Sequence, residues 1–238
     1  ALYDGEIAHT DASLEPLLDA LVASPEPVLV VLTSDHGESL GEHDYFYAHG
    51  EYLYEAGLHI PLIIHYPGVV PEGLRTDLLG QNIDIAPTIL ALTGIRGLQG
   101  VDGRPLLIPG AEGGPFRPAP GRPKVFAESD YQLIHPENRR YFIPGPRGRW
   151  SSASDGRHKL IHVPRPSGEF LELYDLSEDP GERNDLLRRR GTVEAEIRDD
   201  LLRALRRFVD YEPGLGPLNL DLLDPEELHR LRSLGYIN

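Results

Sequence analysis

Residues 28–49, VLVVLTSDHGESLGEHDYFYAH, constrain the fold of this chain more than any other stretch. Six apolar or β-branched side chains at 28–33 run straight into Ser34, Asp35, His36 and Gly37. A continuous apolar run closed by turn residues predicts a strand buried on both faces, as in a parallel sheet. In open α/β sheets, chemistry gathers beyond the carboxyl ends of such strands. That places Asp35 and His36 at the edge, with Gly37 letting the backbone turn sharply. Glu38, Glu42, His43, Asp44 and His49 follow closely. A hard carboxylate beside an imidazole can hold a divalent cation, and further imidazoles can contact an anion or move protons. A bare Asp-His pair would read as a capped strand end with solvated charges. The density of titratable groups at one strand terminus is what favours a site.

Residues 2–22 read as a helix with an imperfect apolar stripe at Leu2, Ile7, Leu14, Leu17, Leu18, Leu21 and Val22. Pro16 removes a backbone donor from it, so a kink or two helices are expected. Asp11 reads as a helix-surface or capping residue rather than a ligand. After this edge, 51–57 reads as a short helix and 61–65 as a second buried strand, opening at Pro61 where proline is permitted. Residues 82–92 are helical and stop at Gly94, with Pro87 implying a kink or a start and Asp84 read as the helix cap. The stretch 109–123, PGAEGGPFRPAPGRP, is too poor in apolar residues to pack and reads as a linker.

Beyond it the pattern changes to short strand candidates at 125–127, 150–153, 159–163 and 170–174, separated by Gly, Pro and Asp turns. Strands so closely spaced, with no helices between them, predict an antiparallel sheet in a smaller α+β unit. Tyr174 and Asp175 are expected to fix its packing, and Glu178–Gly181 is turn chemistry. Val193, Ile197, Leu201, Leu205 and Phe208 recur at helical spacing, which makes 193–209 the clearest helix. Its arginines, Arg198, Arg203, Arg206 and Arg207, read as a solvated face paired with neighbouring acids. A last apolar stripe, Leu228, Leu231 and Leu234, follows Asp224-Pro225.

Composition excludes several classes. A net charge of −15 argues against a nonspecific nucleic-acid binder. It leaves an anionic substrate open, because a metal can invert the local field. No apolar run approaches the ~20 residues of a membrane span, and no signal peptide is visible. Without cysteine there are no disulfides, thiolate metal sites or cysteine nucleophiles, and the compartment stays open, periplasmic or secreted included. The chain also lacks methionine and opens directly in helical sequence at Ala1, which reads as part of a longer protein.

The string TSDHGESLGEH, followed by His49-Gly50, Leu53-Tyr54-Glu55 and Ile60-Pro61-Leu62-Ile63-Ile64, resembles the C-terminal half of a sulfatase of the alkaline phosphatase superfamily. YDGEIAHTD with LLDAL, NIDIAPTILALTGI, RHKLIHV…FLELYDLSEDPGERNDL and the closing Leu234-Gly235-Tyr236 extend the resemblance over nearly the whole chain. It implies the C-terminal part of an α/β sandwich, mainly parallel and flanked by helices, over 1–108. A linker at 109–123, an α+β subdomain with an antiparallel sheet at 124–212 and a tail with a short helix at 213–238 would follow.

The resemblance also implies an activity: metal-dependent hydrolysis of a sulfate ester, on a small-molecule or saccharide substrate. The family uses a formylglycine nucleophile and a divalent cation, usually calcium, with manganese as the alternative. Of its metal ligands, the Asp-His pair maps onto Asp35 and His36. His49 falls where the family places a residue against the sulfate or leaving group, and His43 is a second candidate. The nucleophile motif, Cys or Ser followed by x-Pro/Ala-x-Arg, does not occur here; the formylglycine is expected N-terminal to this chain, and the chain alone is expected to be inactive. The alternatives are a phosphodiesterase or phosphonate monoester hydrolase of the same superfamily, and a non-catalytic binding module that kept the fold.

Overall fold

The computed structural model describes residues 2–50, 52–96, 100–129, 150–165, 168–188 and 192–210. Helix α1 (Leu2–Val22) is one element with Pro16 inside it. Its apolar stripe packs only in part: Leu14, Leu18 and Leu21 are half-buried, whereas Leu2, Ile7, Leu17 and Val22 are exposed. Strand β1 (Val30–Thr33) follows, then a small hairpin of β2 (Ser39–Leu40) and β3 (Phe46–Ala48), the short helix α2 (Glu55–Leu58) and strand β4 (Leu62–His65).

β1 and β4 lie side by side, as the sequence predicts, but they are antiparallel, with Val30 opposite His65 and Thr33 opposite Leu62. The expectation of a mainly parallel sheet is corrected here, and the connection gives the reason. A parallel return needs a crossover of about a dozen residues or more, usually a helix. Among the described residues, the one α-helix between the two strands is α2, of four residues. The chain therefore leaves β1 and enters β4 at the same edge. An apolar run reports burial and says nothing of direction. Burial itself is partial, since Leu62 and Ile63 are exposed.

Helix α3 (Ile85–Thr93) begins after a 3₁₀ turn at Asn82–Asp84 and ends at Gly94, whose φ of 67° is the left-handed stop expected of glycine. Pro87 sits in the first turn, where helical amides have no partner to lose, so it neither breaks nor kinks the helix. Asp84 does not cap α3 through its side chain. Fully buried, it accepts hydrogen bonds from the amides of Gln81 (3.0 Å) and Arg104 (2.7 Å) and from the Arg122 guanidinium. The sequence reading missed this because Arg104 and Arg122 are distant in the chain. Part of the 109–123 stretch also folds back, with β6 (Arg117–Pro118) pairing β5 (Leu107–Ile108).

The second half is a four-stranded antiparallel sheet, in the order β10-β9-β8-β7, as its turn-separated strands predict. The strands are β7 (Val125–Ser129), β8 (Trp150–Ser154), β9 (His158–Arg165) and β10 (Gly168–Asp175). Period-two alternation divides its faces. Ala153, Leu160 and Leu173 pack on Leu201 and Leu205 of α4 (Thr192–Val209). Trp150, Ile161, Val163 and Tyr174 face the other way and pack on Leu53 and Tyr54, just before α2. That second contact backs the site-bearing segment with the sheet. On α4, Arg198 pairs with Asp199 and Arg203 with Asp200, the solvated arrangement expected of its arginines. The stripe at Leu228, Leu231 and Leu234 lies outside the described residues.

Candidate active site

At the carboxyl end of β1, Thr33 Oγ1 donates to the Pro61 carbonyl (2.8 Å), tying the edge of β1 to the start of β4. The chain then turns through Ser34, whose hydroxyl donates to the His36 carbonyl. Asp35 is presented outward: its side chain is 86% exposed. Hydrogen bonds from its own amide and that of His36, aided by the His36 imidazole, hold its carboxyl below the usual carboxylate range. His36 Nδ1 lies 2.9 Å from the Gly37 carbonyl, which assigns the proton to Nδ1 and leaves Nε2 as the free lone pair. That nitrogen stands 3.6 Å from Asp35 Oδ2. Carboxylate and imidazole thus offer donor atoms toward one point.

Glycine is required at 37 for closeness rather than for a turn. Its amide donates to the Gly57 carbonyl (2.9 Å), and a Cβ there would stand 2.1 Å from the Ala56 carbonyl oxygen. Asn82 Nδ2 donates to the Asp35 carbonyl (3.3 Å), linking the edge to the turn that Asp84 organises.

The β2–β3 hairpin brings His49 back to this edge. Ser39 pairs with Ala48, and just beyond them Glu38 Oε2 meets His49 Nδ1 at 3.0 Å. The His49 ring stacks on the His36 ring, with centroids 3.9 Å apart and planes 19° from parallel. Asp35, His36 and His49 are therefore brought together.

His43 is placed elsewhere. It lies in the hairpin turn with φ 56° and stacks on Tyr54 at 3.5 Å, with planes 6° apart. Burial there lowers its pKa, against the opposing pull of Glu172 and a hydrogen bond with the Gly181 backbone. Glu42 is occupied too: its Oε2 accepts from the Leu40 amide (2.6 Å) and closes the hairpin.

Behind the hairpin lies a polar cluster that sequence reasoning missed. Lys159 Nζ, buried, donates to Glu55 Oε1 (2.8 Å) and forms an ion pair with Glu182 Oε1 (2.9 Å), and Glu182 Oε2 accepts from the Glu55 amide at the start of α2 (2.6 Å). Tyr54 and Tyr174 both donate their hydroxyls to Glu172 Oε2. Burial and that carboxylate push both hydroxyls far above their ordinary pKa, so they act as neutral donors. One signal was available: Lys159 shares the face of Ile161 and Val163, and a charge in register with buried positions needs a partner.

A family model described as sulfatase matches residues 1–95. The chain is 30% identical over 213 residues to arylsulfatase K of Danio rerio, covering 89% of this chain and 37% of that protein. The chain is similar to sulfatases over most of its length. A second curated relative, the N-acetylglucosamine-6-O-sulfatase of Bacteroides thetaiotaomicron, is 29% identical over 222 residues, covering 89% of this chain and 36% of the relative. The chain thus spans little more than a third of the curated relatives it matches.

Solved structures carry the same likeness. One, bound to its substrate D-glucosamine-2-N,6-O-disulfate, superposes with a TM-score of 0.61 at 25% identity, covering 88% of this chain and 39% of that one. The phosphonate monoester hydrolase of Agrobacterium radiobacter gives a TM-score of 0.67 at 28% identity, covering 87% and 41%. The α/β fold of the alkaline phosphatase superfamily accounts for both. Sulfatase chemistry in general employs a divalent cation and a formylglycine.

Proposed function

We propose that the whole protein hydrolyses a sulfate ester of a small molecule or saccharide, and that Asp35, His36 and His49 form one side of its active site. The observation that carries this reading is their convergence at the end of β1: an exposed carboxylate, an imidazole nitrogen 3.6 Å from it and a second imidazole stacked on the first. The donor set fits a divalent cation. Asp35 supplies hard oxygen, and the nitrogen of His36 that is not committed to Gly37 supplies the second ligand. Calcium takes about six to eight oxygen-rich ligands, and among the described residues no cluster of three metal-binding side chains occurs. Two ligands are therefore what this edge contributes, with calcium expected and manganese the alternative. A cation held there would act as Lewis acid and template for the ester.

His49 stands beside this pair with its side chain about half exposed. We assign it to the sulfate or to the leaving oxygen, where Nε2 can donate a proton. His43, held against Tyr54, belongs to the support of the hairpin. The same reading assigns 1–108 to the site-bearing domain and 124–212 to a supporting subdomain. Saccharide sulfates are favoured as substrates by the glucosamine-based names of two of the matched proteins. Phosphonate monoester hydrolysis is the second reading, supported by the fit to the Agrobacterium enzyme.

The test is a leaving-group series on the full-length protein with metal content assayed alongside. Asp35→Ala should lose metal and activity together. His49→Ala should keep the metal and slow turnover by roughly 10²–10⁴-fold, least for substrates whose leaving group is already a weak base. Equal slopes for wild type and His49→Ala would refute proton donation, and lost metal would make His49 a ligand. Faster turnover of phosphonate monoesters than of sulfate esters would favour the second reading.

A further inference from the structure

We infer that Tyr47 is a specificity residue of this site: its ring forms a flat shelf beside His49 for the pyranose ring of a sulfated sugar. The inference rests on the function proposed above. It begins from the backbone. In the β2–β3 hairpin Leu40 pairs with Phe46 and Ser39 with Ala48, so Tyr47 is the extra residue of a β-bulge. Its φ of 50° lies in the left-handed region, where a bulky side chain is unusual and a glycine would be free of strain. Bulges next to active sites serve to re-aim a side chain.

The tyrosine gains nothing from the fold in return. Three other described residues besides glycine have positive φ, and each has a reason. His43 stacks on Tyr54, and Glu182 is buried against Lys159. Asp44 belongs to the few residue types that enter this region readily. Tyr47 is 77% exposed, and among the described residues no hydrogen bond, ion pair or ring contact holds its side chain. Its neighbour Phe46, also exposed, rests on Gly41, where a Cβ would stand 2.8 Å from the ring. Strain at a residue that packs on nothing points to a use outside the fold.

Placement says which use. Tyr47 precedes His49 by two residues, at most about 7 Å of chain, and the His49 ring stacks on His36 at the end of β1. A group esterified to a sulfate at that edge comes within reach of the Tyr47 ring. A pyranose suits such a shelf. Its C–H face covers the apolar ring, its hydroxyls stay in water, and the tyrosine hydroxyl adds a polar rim. An aryl group would instead call for an enclosed apolar pocket, and Phe46 and Tyr47 stand open to solvent.

The experiment compares two ligands on the full-length protein. One is the best-cleaved member of a panel of sulfated monosaccharides; the other is inorganic sulfate, a competitive inhibitor without a ring. Tyr47→Gly removes the side chain and accommodates the positive φ. It should raise KM for the sugar ester roughly 5–20-fold more than it raises the inhibition constant of sulfate, the worth of one covered ring face. Tyr47→Asn, which also tolerates this backbone, should do the same. Tyr47→Phe keeps the ring and should keep most of the affinity. The urea midpoint of Tyr47→Gly should be no lower than wild type, since strain is relieved and no packing is lost.

Equal shifts in the two constants, or no shift in either, would overturn the inference. A lowered urea midpoint would make Tyr47 a packing residue and overturn it too. If wild type cleaves none of the sulfated sugars, the function proposed above fails and the shelf with it. Sugar cleavage with an unaltered KM in Tyr47→Gly leaves that function standing and removes the shelf alone, so the two failures are told apart.

Discussion

Asp35 and Glu182 are both carboxylates that face a basic side chain, yet the Asp35 side chain is 86% exposed and that of Glu182 only 2%. The two sit on opposite sides of the same hairpin and helix. Asp35 is held below its ordinary pKa by backbone amides, a charge kept ready at the surface. Burial drives Glu182 upward, and Lys159 opposes that shift. The edge of β1 spends little packing energy and keeps its atoms accessible. The back of the hairpin buries Glu182 and Lys159, with Glu55 half-buried beside them, to fix where that edge sits. Charge at the front is there to meet a ligand; charge at the back replaces what an apolar core would otherwise do. Several variants can break or sharpen this contrast.

The largest effect should come from Lys159→Ala. Lys159 is 1% exposed and touches both Glu55 and Glu182. Removing one partner of a buried ion pair leaves uncompensated charge and costs about 3–5 kcal/mol. Urea unfolding should show that loss as a lower midpoint with little change in slope. A loss no larger than a surface pair gives, about 1 kcal/mol or less, would mean that the buried cluster is better solvated than its geometry indicates and would erase the contrast. Lys159→Met should be milder, since it fills the space without requiring a counter-charge, but the two acids would still face each other.

A smaller and pH-dependent effect should come from His43, which bridges the two sides. Its pKa is lowered in the folded protein, chiefly by burial against Tyr54, while Glu172 and Glu42 pull upward and Lys159 pushes downward. The folded state therefore binds this proton less readily than the unfolded chain, whose value is near 6.5. Stability tied to His43 is thus complete above that value and is lost as pH falls through 6.5 toward the folded pKa. His43→Asn should flatten the decline in urea midpoint between about pH 7.5 and pH 5.5. A wild-type profile that stays flat over that range would show the ring to be solvated when protonated.

Much of this arrangement was legible in the chain. The alternation of LIHV in β9 and LELY in β10, with turn residues between strands, foretold the antiparallel sheet, because a half-buried strand writes its faces with period two. The Asp35-His36 pair was legible because turn residues end an apolar run there, and strand ends are where α/β sheets expose chemistry. The direction of β4 was not, since a strand reads the same in either sense. Nor was the separation of His43 from His49. Both follow the same strand in sequence, and only a left-handed hairpin turn sends one toward Tyr54 and the other toward His36. The Lys159 cluster escaped because its members are far apart in the chain, although the register of Lys159 with Ile161 and Val163 marked it as needing a partner.

The smallest effect on stability, and the sharpest test of the contrast, should come from Asp35→Asn. The side chain points into solvent, and it interacts with its own amide, with the His36 amide (3.0 Å) and, loosely, with the His36 ring. Asparagine keeps an oxygen able to accept from that amide, so the local turn survives. The sign of the pKa shift gives the direction: a carboxylate lowered on folding stabilises the fold above its unfolded pKa and loses that contribution as pH falls through the folded one. At neutral pH its removal should therefore destabilise, but only slightly, since solvent screens so exposed a charge. The urea midpoint of Asp35→Asn should match wild type within error, and metal content in the full-length protein should fall, because a neutral amide oxygen is a weaker ligand for a hard cation than a carboxylate. Unchanged stability with lost metal would place Asp35 among residues kept for a ligand. A midpoint lowered as far as in Lys159→Ala, with metal retained, would make the front edge as structural as the back, and the contrast between the two carboxylates would fall.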